Sequence, residues 1–102
     1  MLELRPSCEH CAKPLPPSAR DARICSFECT FCAECVEKVL LYVCPNCGGD
    51  FCSRPVRPQR EWRAGESLKQ HPASERVRYR PVDAAAHAEF ASSVRLVDPH
   101  ER

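Results

Sequence analysis

No stretch of this chain approaches the roughly 18 to 20 apolar residues of a membrane helix. Its longest apolar run is Val39-Leu40-Leu41-Tyr42-Val43-Cys44. The N-terminus, Met1-Leu2-Glu3-Leu4-Arg5-Pro6-Ser7-Cys8, has neither a basic start nor an apolar stretch before a small-residue cleavage site. No membrane span and no secretion signal is therefore expected, and the expected location is the cytoplasm. Length is also scarce, because 102 residues leave room for one small domain and a tail, which excludes a multi-domain enzyme. Cysteine is wholly absent from residues 53–102, whereas residues 1–52 hold all nine. The first half carries five Lys/Arg against seven Asp/Glu and the second ten against seven, so a near-neutral chain divides into an acidic, cysteine-rich part and a basic, proline-bearing one.

Cytosolic thiols are kept reduced, which turns nine cysteines away from a disulfide framework and towards metal. They run Cys8-x2-Cys11-x13-Cys25-x3-Cys29-x2-Cys32-x2-Cys35-x8-Cys44-x2-Cys47, with Cys52 left over. A close cysteine pair lets two thiolates converge on one ion at about 2.3 Å, and a tetrahedral zinc ion takes two such pairs. Four pairs thus saturate two ions and leave no open position for catalysis. Iron–sulfur clusters also take four thiolates and are the competing metal reading. Sequential pairing, as in LIM domains, would join Cys8, Cys11, Cys25 and Cys29, then Cys32, Cys35, Cys44 and Cys47. The eight-residue gap before Cys44 is short for that arrangement. Interleaved pairing gives Cys8, Cys11, Cys32 and Cys35 to the first zinc and Cys25, Cys29, Cys44 and Cys47 to the second, a cross-brace that resembles a RING finger.

Further residues carry the same resemblance. Cys29-Thr30-Phe31-Cys32 is similar to the His-x-Phe-Cys of RING domains with Cys replacing His, and Cys44-Pro45-Asn46-Cys47 to their closing Cys-Pro-x-Cys. Between them, Ala33 to Leu41 place Val36, Val39 and Leu40 on one apolar helical face. Ile24, Phe27 and Phe31 among polar neighbours predict a short hairpin around the second site, and Gly48-Gly49 permit a tight reversal after the last knuckle. The expected fold is a small metal-stabilised α+β module over residues 1–52, a RING-like cross-brace with two zinc sites, one short helix and a β-hairpin. Its candidate apolar side chains are Leu2, Leu4, Leu15, Ile24, Phe27, Phe31, Val36, Val39, Leu40, Leu41, Val43 and Phe51, too few to order about fifty residues without metal.

The first eighty or so residues also resemble a short bacterial family known as domain of unknown function 1272. The likeness lies in Met1 to Pro6, Asp21-Ala22-Arg23-Ile24-Cys25-Ser26-Phe27-Glu28-Cys29-Thr30-Phe31-Cys32, Cys44-Pro45-Asn46-Cys47-Gly48-Gly49, Arg54-Pro55-Val56-Arg57-Pro58 and His71-Pro72-Ala73-Ser74. It implies a zinc-binding, RING-like module and brings no established activity.

An enzyme is not expected. The resemblance to RING ligases would place a hydrophobe after the first ligand, a proline in the closing knuckle and a cation after the last ligand. This chain has Glu9, Pro45 and Gly48 there, and only Pro45 fits. With eight thiolates assigned as ligands, Cys52 is the sole candidate nucleophile. Arg54 is its only nearby cation, and the expectation is a small, at least half-buried thiol. His10, inside the first knuckle, is expected to be exposed.

Residues 53–82 read as an extended basic arm. Arg54, Arg57, Arg60 and Arg63 recur every third residue among Pro55 and Pro58, the period of polyproline II. Arg76, Arg78 and Arg80 alternate with Val77 and Tyr79, giving an extended segment one basic side. With Trp62 and Tyr79 this arm offers phosphate contacts and stacking to nucleic acid, with weak binding expected. Alternatively it folds back on the zinc module, since four thiolates around each zinc give that module a formal charge of −2 per site. Residues 83–102 have helix-forming composition from Asp83, a candidate N-cap, to Val94, and an end at Asp98 to Arg102 expected to fray. The function expected is a non-catalytic zinc protein that binds a protein partner or regulates it, with no membrane and no small-molecule substrate. A nucleic-acid-binding zinc protein is second.

Overall fold

A computed structural model describes residues 1–102. At its centre is a three-stranded antiparallel sheet, β2-β1-β3, formed by β1 (Ala22–Ile24), β2 (Thr30–Cys32) and β3 (Cys52–Ser53). The expected hairpin is β1–β2, in register Ala22 to Cys32, Arg23 to Phe31 and Ile24 to Thr30. β3 joins the free edge of β1, placing Ser53 opposite Arg23 and Cys52 opposite Ile24. It thereby crosses the point at which composition divides module from arm.

Helix α1 (Ala33–Lys38) follows β2 directly. It is shorter than the apolar pattern to Leu41 predicts, because Leu41 and Tyr42 both adopt left-handed φ, 54° and 62°, and turn the chain back. Tyr42 then donates its N–H to the Val36 carbonyl at 3.0 Å. Val36 and Leu40 are buried and Val39 half-buried, as the apolar face requires.

The core joins Leu15, Ala22, Phe31, Val36 and Leu40 to Cys8, Cys25, Cys29, Cys32, Cys35 and Cys44. More than half of these residues are cysteines, so thiols occupy the space a larger domain gives to aliphatic side chains. Phe51 stands edge-on to Phe31 at 5.7 Å between ring centroids. Phe27, expected among the apolar side chains, is 70% exposed at the tip of the β1–β2 connection.

The arm folds back. Arg54 is buried, and its guanidinium donates to the carbonyls of Arg5 (2.8 Å), Leu15 (3.0 Å) and Pro16 (2.9 Å). Arg57 donates to the carbonyls of His71 and Leu2, both at 2.6 Å. Ser74 N–H reaches Glu3 O at 3.1 Å and Arg80 N–H reaches Glu9 O at 2.8 Å. Two of the four stripe arginines are therefore spent inside the protein. Arg60 and Arg63 remain exposed, Arg60 lying 5.9 Å over the Trp62 ring.

Helix α2 (Ala84–Val94) starts where Asp83 caps it, its carboxylate accepting the Ala86 N–H at 3.0 Å. It docks through His87 and Ala91, both buried, and His87 Nε2 donates to the Leu40 carbonyl at 2.8 Å. The C-terminal residues, expected to fray, carry regular structure. Pro99–Glu101 form a 3₁₀ turn, and Arg102 donates to the Gly48 carbonyl at 3.1 Å.

Candidate metal centre

Two loops of the same construction hold the first and last cysteine pairs. In Cys8-Glu9-His10-Cys11, the Cys8 N–H donates to Lys13 O at 2.9 Å and the Ala12 N–H to Cys8 O at 2.9 Å. In Cys44-Pro45-Asn46-Cys47, the Cys44 N–H donates to Gly49 O at 2.8 Å and the Gly48 N–H to Cys44 O at 2.8 Å. The residue after each second cysteine is left-handed, Ala12 at φ 65° and Gly48 at φ 76°. Such turns bring successive N–H groups towards sulfur. Those of His10 and Cys11 face Cys8, and those of Asn46 and Cys47 face Cys44. Gly49 N–H lies 3.3 Å from Cys47 Sγ, and a Cβ on Gly49 would meet that sulfur at the same distance. Gly48 thus supplies the reversal and Gly49 the close approach.

The other pairs come from the sheet. Cys25 follows β1, Cys29 precedes β2, Cys32 closes β2 at the N-cap of α1, and Cys35 lies in its first turn. Folding β1 against β2 while α1 packs beside them carries the Cys32/Cys35 pair to the first loop and Cys25 to the last. The Sγ atoms of Cys8, Cys11, Cys32 and Cys35 all lie within 4.8 Å of one another, and so do those of Cys25, Cys44 and Cys47. The pairs interleave: sequential grouping would need Cys8 beside Cys25, which the fold does not provide.

The sulfurs fit a metal. A tetrahedral ion with sulfur bonds of about 2.3 Å requires sulfurs about 3.8 Å apart, and Cys11 and Cys32 are separated by 3.8 Å. Cys8, Cys32 and Cys35 are buried and Cys11 is exposed; Cys25 and Cys44 are buried and Cys47 is exposed. Cys29 is not among the three mutually close sulfurs of the second group. It is buried beside them, its Sγ accepting from Asn46 Nδ2 at 3.4 Å. Asn46, in the last knuckle, thus ties Cys29 to the loop bearing Cys44 and Cys47.

Without a cation four of these thiols, Cys8, Cys25, Cys35 and Cys44, resist ionisation. Burial pushes Cys25 up to about 11, reinforced by Cys29 and opposed by the N–H groups of Phe27 and Cys29. Burial likewise raises Cys8, Cys35 and Cys44. For Cys11 burial also works upward, but the Lys13 N–H and hydrogen bonds from Cys8, Cys35 and Cys32 outweigh it and leave the thiol below its ordinary value. Buried thiolates packed this closely repel one another, and a bound cation removes the conflict.

Residues 1–57 match the family model described as protein of unknown function (DUF1272). The chain belongs to this family. An uncharacterized protein of Rhizobium meliloti (strain 1021) is 55% identical over 74 residues, covering 72% of this chain and 81% of that protein. No solved structure matches the chain. The DUF1272 match includes all eight paired cysteines and ends at Arg57, the residue that ties the arm to Leu2.

Several residues in this DUF1272 protein differ from what their sequence context predicts. Cys52 is exposed rather than half-buried, since β3 is an edge strand and turns it outward. Arg54 does not face it as a cation, being committed to three carbonyls. His10 is half-buried, its Nδ1 accepting the Val82 N–H at 2.9 Å. Glu9 is buried, and one carboxylate oxygen accepts both the Thr30 N–H at 2.5 Å and Arg5 at 3.0 Å. His87 went unnoticed because an alanine-rich helix gives no sign of which residue faces inward.

Proposed function

We propose that this DUF1272 protein is a non-catalytic binding module held together by two structural zinc ions, with a protein as its partner. The first ion takes Cys8, Cys11, Cys32 and Cys35, and the second takes Cys25, Cys29, Cys44 and Cys47. The observation that carries the reading is the interleaving of two all-sulfur groups within one small core. All-thiolate tetrahedral sites suit zinc and leave no vacancy for a substrate or water. The interleaving is that of a RING-like cross-brace.

A ligase reading is disfavoured by Glu9, whose carboxylate turns inward to Arg5 and Thr30 where RING ligases present an apolar contact. A thiol-redox reading is disfavoured by Cys52, which lies on an edge strand with no cation beside it. No helix is long and apolar enough to cross a membrane. Free thiols in this number suit a reducing compartment, and we place the protein in the cytoplasm.

The test is metal content by mass spectrometry of the purified protein, followed by chelation. Two zinc ions per chain, with loss of helical and sheet signal when they are removed, is the expected result. One ion per chain, iron with sulfide, or an unchanged fold after chelation would overturn it.

A further inference from the structure

Residues 72–83 contain no helix, bridge or turn. The segment is fastened along one side only. Ser74 N–H donates to Glu3 O and Arg80 N–H to Glu9 O, so the segment lies beside the N-terminal residues 3–9. Between these anchors the N–H groups of Val77, Arg78 and Tyr79 find no acceptor in the protein. The alternation of arginine with apolar residues reads residues 76–80 as extended, and in an extended chain N–H and C=O groups alternate in direction, so residues that share the sense of Arg80 face the N-terminal segment. Val77 and Tyr79 therefore aim theirs outward. That outer edge offers two donor–acceptor pairs and stops at Pro81, which has no N–H to extend it.

Side chains say what could pair there. Arg76, Arg78 and Arg80 wall a groove of about 440 Å³ together with Glu9, Val77 and Tyr79. Glu9 contributes no free charge, because its carboxylate is committed to Arg5 and Thr30. Arg76 and Arg80 are exposed and have no acidic partner. Arg78 reaches Glu3 only at 3.5 Å, and its Nε is buried without a partner. Val77 and Tyr79 are 61% and 56% exposed on the alternate positions.

A second copy of the chain is a poor occupant, since edge-to-edge pairing would set arginine against arginine. An acidic strand matches, because its alternate side chains repeat at the same spacing of about 6.6 Å as the arginines. We propose that the outer edge of residues 76–80 receives an extended acidic segment of a partner protein by strand addition, with acidic residues opposite Arg76, Arg78 and Arg80 and apolar ones opposite Val77 and Tyr79. This rests on reading the protein as a binding module and names the partner's chemistry.

The experiment uses the full metal-loaded chain, with metal content and melting temperature checked for every variant. The probe is a fluorescein-labelled seven-residue peptide alternating glutamate and valine, read by anisotropy at low salt. Binding is expected, weakening by at least about tenfold when alternate peptide nitrogens are methylated, the loss of one or two backbone hydrogen bonds. R76E/R80E is expected to abolish binding of the glutamate peptide and to confer binding of a lysine–valine counterpart. Equal binding of the methylated peptide, or binding of an oligothymidylate but not the peptide, would overturn the proposal. So would no binding by a folded protein carrying two metal ions. A protein lacking the two ions would instead refute the proposed function.

Discussion

Replacing Glu9 by alanine tests how far this fold depends on one buried carboxylate. Oε2 of Glu9 accepts the Thr30 N–H at 2.5 Å and Arg5 at 3.0 Å, and the two side chains of the ion pair are 5% and 11% exposed. Alanine would leave the Thr30 donor, on fully buried β2, without a partner and the Arg5 cation with Glu3 alone at 3.4 Å. Breaking one side of a buried pair costs about 3–5 kcal/mol. Glutamine keeps an acceptor for Thr30 and loses only the charge, for about 1.5–3 kcal/mol. Against a total stability of about 5–15 kcal/mol for a small domain, alanine is expected to bring the protein near the edge of unfolding. The assay is urea unfolding by circular dichroism at a fixed free zinc concentration, since unfolding would release the proposed ions and the midpoint would otherwise depend on their supply. Arg5→Met and the double variant close a cycle, in which a coupling of about 0.5–3 kcal/mol is expected. A Glu9→Ala midpoint matching the parent's, with both metal ions retained, would refute the assignment of Glu9 as the internal staple between the first knuckle and β2.

Other substitutions probe the remaining joints. Cys29→Ser is expected to weaken the second ion specifically, while Cys52→Ser leaves both ions in place and stability within about 0.5 kcal/mol; metal titration with a chromophoric chelator distinguishes them. Because burial holds Cys25 protonated up to about 11 when no cation is present, metal binding displaces protons, and affinity is expected to fall as pH drops from about 8 to about 6 in the same titration. Ala12→Gly, at φ 65°, is expected to raise the melting temperature, gaining up to about 1 kcal/mol by relieving a left-handed alanine where the matching knuckle has Gly48. Arg54→Lys is expected to destabilise almost as much as Arg54→Met in thermal melts, since one ammonium cannot span the three carbonyls that the guanidinium fork reaches.

Much of the candidate metal site was legible in the sequence. Cysteine spacing alone marks the close pairs, since two thiolates two or three residues apart on a turn converge whatever the surroundings. The short gap before Cys44 favours interleaving for a similar local reason, because it limits what a second finger can span. The apolar spacing of Val36, Val39 and Leu40 marks a helix, although its end at Lys38 depends on two left-handed residues that no local preference announces. The hairpin likewise followed from Ile24 and Phe31, while Phe27 misled because a tip residue has the same composition as a core one.

What the chain could not disclose is where its charges go. Arg54, Arg57, Arg60 and Arg63 have one spacing, yet the first two are spent on carbonyls 14 to 55 residues away in the chain and the last two stand in solvent. Glu9, beside the first knuckle cysteine, lies buried, because Arg5, four residues before it, and Thr30 of β2 meet its carboxylate. His87 reads as one residue of an alanine-rich helix and Arg102 as part of a fraying end until Leu40 and Gly48 offer them carbonyls. The closeness of two cysteines within one pair is decided by covalent reach along the backbone and can be read locally. Partners for a long cationic or imidazole side chain are chosen among groups distant in sequence, and only the folded chain brings them within hydrogen-bond reach.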